Sequence, residues 1–216
     1  MDIFFACVAF GPLAVYLLLL GAINISRRPL VVSGTRETLA LGLALSGLVV
    51  SGPMQLFMPE EAATLFGPIV WALLLAFYVL ALTLIILLAR PRLVVYNMTT
   101  DELRPVVAET AARLDQESTW AGRALHMPQM HVNLQLEGFA PMRNVTLTAT
   151  GGQQSVGGWR RLAAGLRQNL QPVRIGTRIH GWRLILSGLL ILVTLSLKVA
   201  NDPQMIAQGL SRMLHP

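Results

Sequence analysis

Four long stretches of this chain carry almost no charge, and this limits the possible folds more than any motif does. Ile3–Ile25, Leu39–Phe57, Pro68–Ala89 and Trp182–Ala200 are apolar. Each is close to the ~20 residues that an α-helix needs to cross a ~30 Å hydrocarbon core. Charge collects between the third and fourth stretches. Arg90–Arg183 holds 12 of the 17 basic and 6 of the 11 acidic residues, so it carries the whole net charge of +6. The pattern predicts four transmembrane helices, at about residues 3–25, 39–57, 68–89 and 182–200. A soluble domain of residues 90–179 is inserted between the last two.

The hydrophobic fraction of 54% exceeds the ~45–50% usual for soluble domains. Cys7, inside the first apolar stretch, is the only cysteine, which excludes intrachain disulfides and cysteine zinc sites. Met1-Asp2-Ile3 brings no basic residue ahead of the first stretch, so that stretch reads as a retained helix rather than a cleaved signal.

Orientation follows the bias of Lys and Arg toward cytoplasmic loops. Arg27, Arg28 and Arg36 lie in the first loop, Glu60 and Glu61 in the second, and Arg90, Arg92, Arg174, Arg178 and Arg183 flank the insertion. These place the soluble domain in the cytoplasm and both termini outside an inner (plasma) membrane.

Pro12 should kink the first helix, and Gly52-Pro53 should break the second. Gly42, Ser46, Gly47 and Ser51 give the second helix the small residues that allow close helix approach. No Asp, Glu, His, Lys or Arg falls in the middle of a span, which argues against an ion or proton path through this chain alone. Two further short helices are expected outside the membrane. One lies at residues 59–67, and the other is a C-terminal amphipathic helix opened by Asp202-Pro203.

Within the insertion, Leu93–Tyr96 reads as a strand. Thr99-Thr100-Asp101-Glu102 then has the form of a capping box, followed by Leu103, Val106, Val107, Ala111 and Leu114 at helical spacing. Arg123–Met127 is a further strand. His131–Glu137 and Asn144–Thr150 alternate as half-buried strands do. A second amphipathic helix carries Trp159, Leu162, Ala163, Leu166 and Leu170, and Val173–Ile179 is a possible last strand. This order predicts an α+β domain, a mostly antiparallel sheet with two helices on one face. A ferredoxin-like arrangement is compatible with it.

Two constellations are candidate sites. Alternation puts His131, Asn133, Gln135 and Glu137 on one polar sheet face beside Thr146 and Thr148. His131 and Glu137 are ~20 Å apart along such a strand, too far for acid/base pairing, so a solvated or dimer-forming face is the simpler reading. The face carries no aromatic residues, unlike sheets that read RNA, so no nucleic-acid partner is expected. The second constellation is the loop with Gly151, Gly152, Ser155, Gly157 and Gly158, followed by Arg160 and Arg161. Glycines at a helix N-terminus favour anions, although the loop lacks the lysine of a Walker A motif, and a plain turn is the simpler reading.

Seven arginines and no acid lie between Arg143 and Arg183, a basic side suited to anionic headgroups or an acidic protein partner. His126-Met127-Pro128-Gln129-Met130-His131 groups soft-metal ligand types at a spacing that matches no metal site, so neither metal nor cofactor is expected. No nucleophile motif is present. The expectation is a non-enzymatic polytopic membrane protein whose cytoplasmic domain serves assembly, scaffolding or regulation, alone as a homo-oligomer or with a protein partner. The alternatives are a membrane-bound enzyme or binding protein for an anionic lipid or phosphate, and an accessory transporter subunit.

Overall fold

The computed structural model describes residues 3–54, 69–139, 143–152, 154–174 and 180–201. The expected helices at 59–67 and after Asp202 lie outside the described residues. So does most of the expected strand Val173–Ile179, of which Val173 and Arg174 are not in a strand. The chain divides into two compact units.

The first unit is helical. It takes the chain up to Gly21, Thr38–Leu88, and the chain from Trp182 onward. Its helices are α1 (Ile3–Ile25), α2 (Gly34–Val49), α3 (Ile69–Leu88) and α6 (His180–Asn201); the last turn of α1 and the first of α2 belong to the second unit. Three of them, α1, α3 and Gly181–Asn201 of α6, are long and apolar enough to cross a membrane. At 16 residues α2 is shorter than these and runs into a π-helical turn at Val50–Met54.

Pro12 removes a backbone donor inside α1, so the carbonyl four residues earlier, that of Val8, loses its helical partner. The backbone of Gly47 in α2 packs directly against that carbonyl, and a β-carbon there would collide with it. On the same helix the Gly42 carbonyl accepts a 2.6 Å hydrogen bond from Tyr78 Oη of α3. Ser46 and Ser51 bond back to carbonyls of their own helix instead.

The second unit, Ala22–Glu37 with Ala89–Gly181, is the α+β part. Its sheet has six strands: β1 (Leu30–Ser33), β2 (Arg92–Tyr96), β3 (Thr119–Ala121), β4 (Ala124–Met127), β5 (Val132–Phe139) and β6 (Asn144–Ala149). They lie in the order β1-β2-β6-β5-β4-β3 with every neighbouring pair antiparallel. Helices α4 (Thr100–Leu114) and α5 (Val156–Leu170) contribute to one core with this sheet.

Register explains the core. Val31 faces Val95, Val95 faces Val145, Leu136 faces Leu147 and Leu125 faces Leu134. These pairs lie in successive rows of one apolar sheet face. Against it pack Leu103, Val107 and Ala111 of α4 and Trp159, Leu162, Leu166 and Leu170 of α5. Fully burying each large side chain stabilises the fold by ~1.5–3 kcal/mol.

Two strands depart from the sequence expectation. The first, β1, comes from the connection between α1 and α2, which the sequence reading left outside the soluble domain. Two groups hold it in place. Asn97, buried and left-handed at φ 68, donates through Nδ2 to the Ile23 and Ser26 carbonyls at 2.6 and 3.1 Å. Glu37 accepts from Tyr96 Oη at 3.1 Å and pairs with Arg92 at 3.2 Å. The other is the three-residue β3. The described elements of the insertion follow β-α-β-β-β-β-α, which differs from the β-α-β-β-α-β order of ferredoxin-like folds. Four antiparallel strands stand between the two helices where that order has two.

The capping box is present: the Thr99 backbone N–H donates to Glu102 Oε2 at 2.9 Å, and the Glu102 N–H donates to Thr99 Oγ1 at 3.4 Å. Helix α4 ends at Asp115, which is 1% exposed. Its carboxylate accepts from the backbone N–H groups of Glu117, Gln129 and Met130. A buried carboxylate is tolerable because those three donors replace its water. Its effect is to fix the turn between β4 and β5 against the end of α4.

Candidate functional site

The glycine loop is closed by its own side chains. Gln154 donates through Nε2 to the carbonyls of Asn133 (3.0 Å) and Thr150 (2.6 Å), and its Oε1 accepts from Trp159 Nε1 at 2.9 Å. Ser155 caps α5 by accepting from the Gly158 N–H at 3.2 Å. The glycines have packing and turn roles. Gly158 lies so close to the Met130 carbonyl that a β-carbon would collide with it, and Gly151 has φ +80. Gly152 and Gly157 are exposed, as are Arg160 and Arg161 in the second turn of α5. Nothing in this geometry draws the two arginines and the loop into a concave site.

The polar sheet face holds Asn133, Gln135 and Glu137, with Glu137 paired to Thr146 and Gln135 to Thr148. His131 does not belong to it. That residue precedes β5 in a turn with φ 49, so alternation breaks one residue before the strand. Asn133 Oδ1 is held instead by His126 Nδ1 across the β4–β5 pair. Among the soft-ligand types, Met127 and Met130 are buried in the core while His126 and His131 are exposed, so they do not converge. Among the described residues, no group of three or more His, Cys, Asp or Glu is placed to hold a metal.

The concave site lies at the other helix N-terminus. A cleft of about 530 Å³ opens between the start of α4 and the strands β3–β5, within the ~300–1,000 Å³ typical of small-molecule sites. Three arginines line it: Arg104 of α4, Arg123 between β3 and β4, and Arg143 just before β6. Asp101 is the one acid in its described lining. Met98, Leu136 and the 54%-exposed Phe139 give it apolar surface.

Each arginine is held differently. Arg104 stacks over Trp120, with Cζ 5.1 Å from the ring centroid, and donates to the Gly122 carbonyl at 3.0 Å. Such stacking orients a guanidinium while leaving most of its donors free. Arg143, left-handed at φ 45, donates through Nη2 to Glu102 Oε1 and Oε2 at 2.8 and 2.6 Å. Its Nε is buried without a partner among the described residues, as is Oδ1 of the adjacent Asn144. The Arg123 side chain is exposed and has no ion pair or hydrogen bond among the described residues.

Glu102 thus serves both the cap and Arg143. Partial burial pushes its carboxyl up, but the Thr99 N–H and the hydrogen bond and charge of Arg143 outweigh this and hold it below its ordinary value. The carboxylate stays ionised and spends its charge on Arg143. That leaves Arg104 and Arg123 against Asp101. The backbone N–H groups of Thr100 and Asp101, at the positive end of α4, lie on the same side.

Sequence reasoning missed this cleft because its residues are spread from Met98 to Asn144, and only the sheet register brings them together. The role of Gln154 left no signal either. Asp115 had one: an Asp two residues before Glu117, after a helical pattern, is the form of an Asx turn.

Comparison with protein-family models, with curated proteins and with solved structures returns no match to this chain.

Proposed function

We propose that this chain is a four-pass inner-membrane protein whose cytoplasmic α+β domain is an anion-responsive assembly or regulatory module. The ligand would occupy the cleft at the start of α4. The supporting observation is Arg123, a guanidinium unpaired among the described residues, in a cleft it shares with the stacked Arg104 and whose third arginine is already neutralised by Glu102. Binding is favoured over catalysis because the described lining contains no His, Cys or Ser, so its Thr99 and Thr100 hydroxyls have no imidazole base in that lining to activate them. The fourth span is α2, extended by its π-helical turn; its support is the Gly47 contact with the carbonyl that Pro12 frees in α1. Arg27, Arg28 and Arg36 against Glu60 and Glu61 support the orientation.

The test is a titration of the full-length chain in detergent with inorganic pyrophosphate, followed by thermal unfolding. The reading predicts a saturable rise in the unfolding midpoint. A midpoint that does not respond, or that rises without saturating as with added salt, would count against it.

A further inference from the structure

A second concave surface of the α+β unit lies where β1 meets the end of α5. It is a groove of about 460 Å³ between the segment Arg28–Val31 and the last turn of α5 at Arg167, Leu170 and Gln171. Two guanidinium groups, of Arg28 and Arg167, flank it; both are exposed, and neither has an ion pair or side-chain hydrogen bond among the described residues. No acid lines it. Its floor is apolar, with Val31 and Leu170 buried and Leu30 40% exposed.

Chain connectivity locates one side of this groove. Arg28 is three residues beyond Ile25, where α1 ends. If α1 crosses a bilayer, Arg28 sits at headgroup depth, as basic residues flanking a span do. Paired cations over an apolar floor suit a molecule that has both a phosphate and an acyl chain. The neighbouring carbonyl end of α5 carries partial negative charge. It disfavours a doubly charged bare phosphate more than the singly charged phosphate of a lipid.

We infer that this groove seats the headgroup of an anionic phospholipid, with Arg28 and Arg167 on the phosphate and Leu30 against the start of the acyl chain. The site is separate from the cleft at α4. It shares with the proposed function only the premise that α1 lies in a membrane, which is checked on its own by whether the chain leaves membranes only with detergent.

The experiment follows the unfolding midpoint of the full-length chain in detergent as phosphatidylglycerol, phosphatidylcholine or inorganic phosphate is added. Phosphatidylglycerol should raise the midpoint and the other two should not. The double variant Arg28→Gln/Arg167→Gln should lose that rise while keeping the wild-type midpoint without lipid, because both side chains are exposed and unpaired. Arg28→Lys/Arg167→Lys retains the charge and should keep part of the rise should the glutamine variant fail to fold. Arg160→Gln/Arg161→Gln removes equal charge from the opposite end of α5 and should respond as wild type does. Equal loss in both glutamine variants would reduce the effect to diffuse attraction and overturn the site. An undiminished response in Arg28→Gln/Arg167→Gln, or a rise with inorganic phosphate equal to that with lipid, would overturn it too.

Discussion

The α+β unit begins its two helices in opposite ways. Helix α5 follows a glycine-rich loop and carries two arginines in its second turn, and α4 follows an ordinary Thr-Thr-Asp-Glu box. By composition α5 is the better anion site. In the structure its loop is filled: Gln154 occupies the carbonyls and the indole around it, and Gly158 is packed onto Met130. The box at α4 satisfies its own cap through Glu102, and that same carboxylate draws in Arg143 from 41 residues away. An open cleft results, with Arg123 unpaired among the described residues. Donors at a helix N-terminus are available only where the chain's own side chains leave them so.

That contrast can be broken most severely at the α5 loop. Gln154→Ala leaves the Trp159 indole and the Thr150 carbonyl without their partner, while the Asn133 carbonyl keeps the Thr150 N–H, and should cost about 3 kcal/mol by chemical denaturation. Gly158→Val should cost about as much, because the Met130 carbonyl and the core residue Val132 both stand in the way. If either variant unfolds at the wild-type denaturant concentration, the loop is not the structural clamp described.

At α4 the order of effects reverses. Arg123→Ala should weaken pyrophosphate binding about tenfold, ~1.4 kcal/mol, and leave stability within about 0.5 kcal/mol of wild type. Arg160→Ala/Arg161→Ala should leave that affinity unchanged, and equal losses in both variants would erase the distinction. Gly151→Ala should cost about 1 kcal/mol, since the space beside it is open and only its φ of +80 opposes a side chain. It should not alter binding.

The smallest effect concerns acid. Because the Glu102 carboxyl titrates below its ordinary value of 4.5 in the folded chain, it contributes stability above that value and loses it as pH falls through the folded one. Glu102→Gln should therefore lower the unfolding midpoint at neutral pH and flatten its fall below about pH 4.5. Parallel wild-type and variant pH profiles would show that the Arg143 pairing carries no weight.

Much of the fold could be read from periodicity. The Thr99–Glu102 box, the alternation of β5 and β6 and the apolar faces of α4 and α5 follow from local patterns. What escaped was non-local. Leu30-Val31-Val32-Ser33 is too short to announce a strand between two apolar helices, and its partner Tyr96 lies 66 residues away. His131 continued an alternating pattern that its left-handed backbone interrupts. The glycine loop misled because glycines that permit a close packing contact read the same in sequence as glycines that cradle a ligand. The cleft was invisible for the opposite reason, since Arg104, Trp120, Arg123 and Arg143 form no motif until the strands align.

The most direct test compares the two helix starts in one sample. Backbone hydrogen exchange of the full-length chain would be followed with and without saturating pyrophosphate. The account predicts slowed exchange at Thr100 and Asp101, at the start of α4, and no change at Gly157 and Gly158. Protection confined to Gly157 and Gly158 would contradict it and return the anion site to the glycine loop.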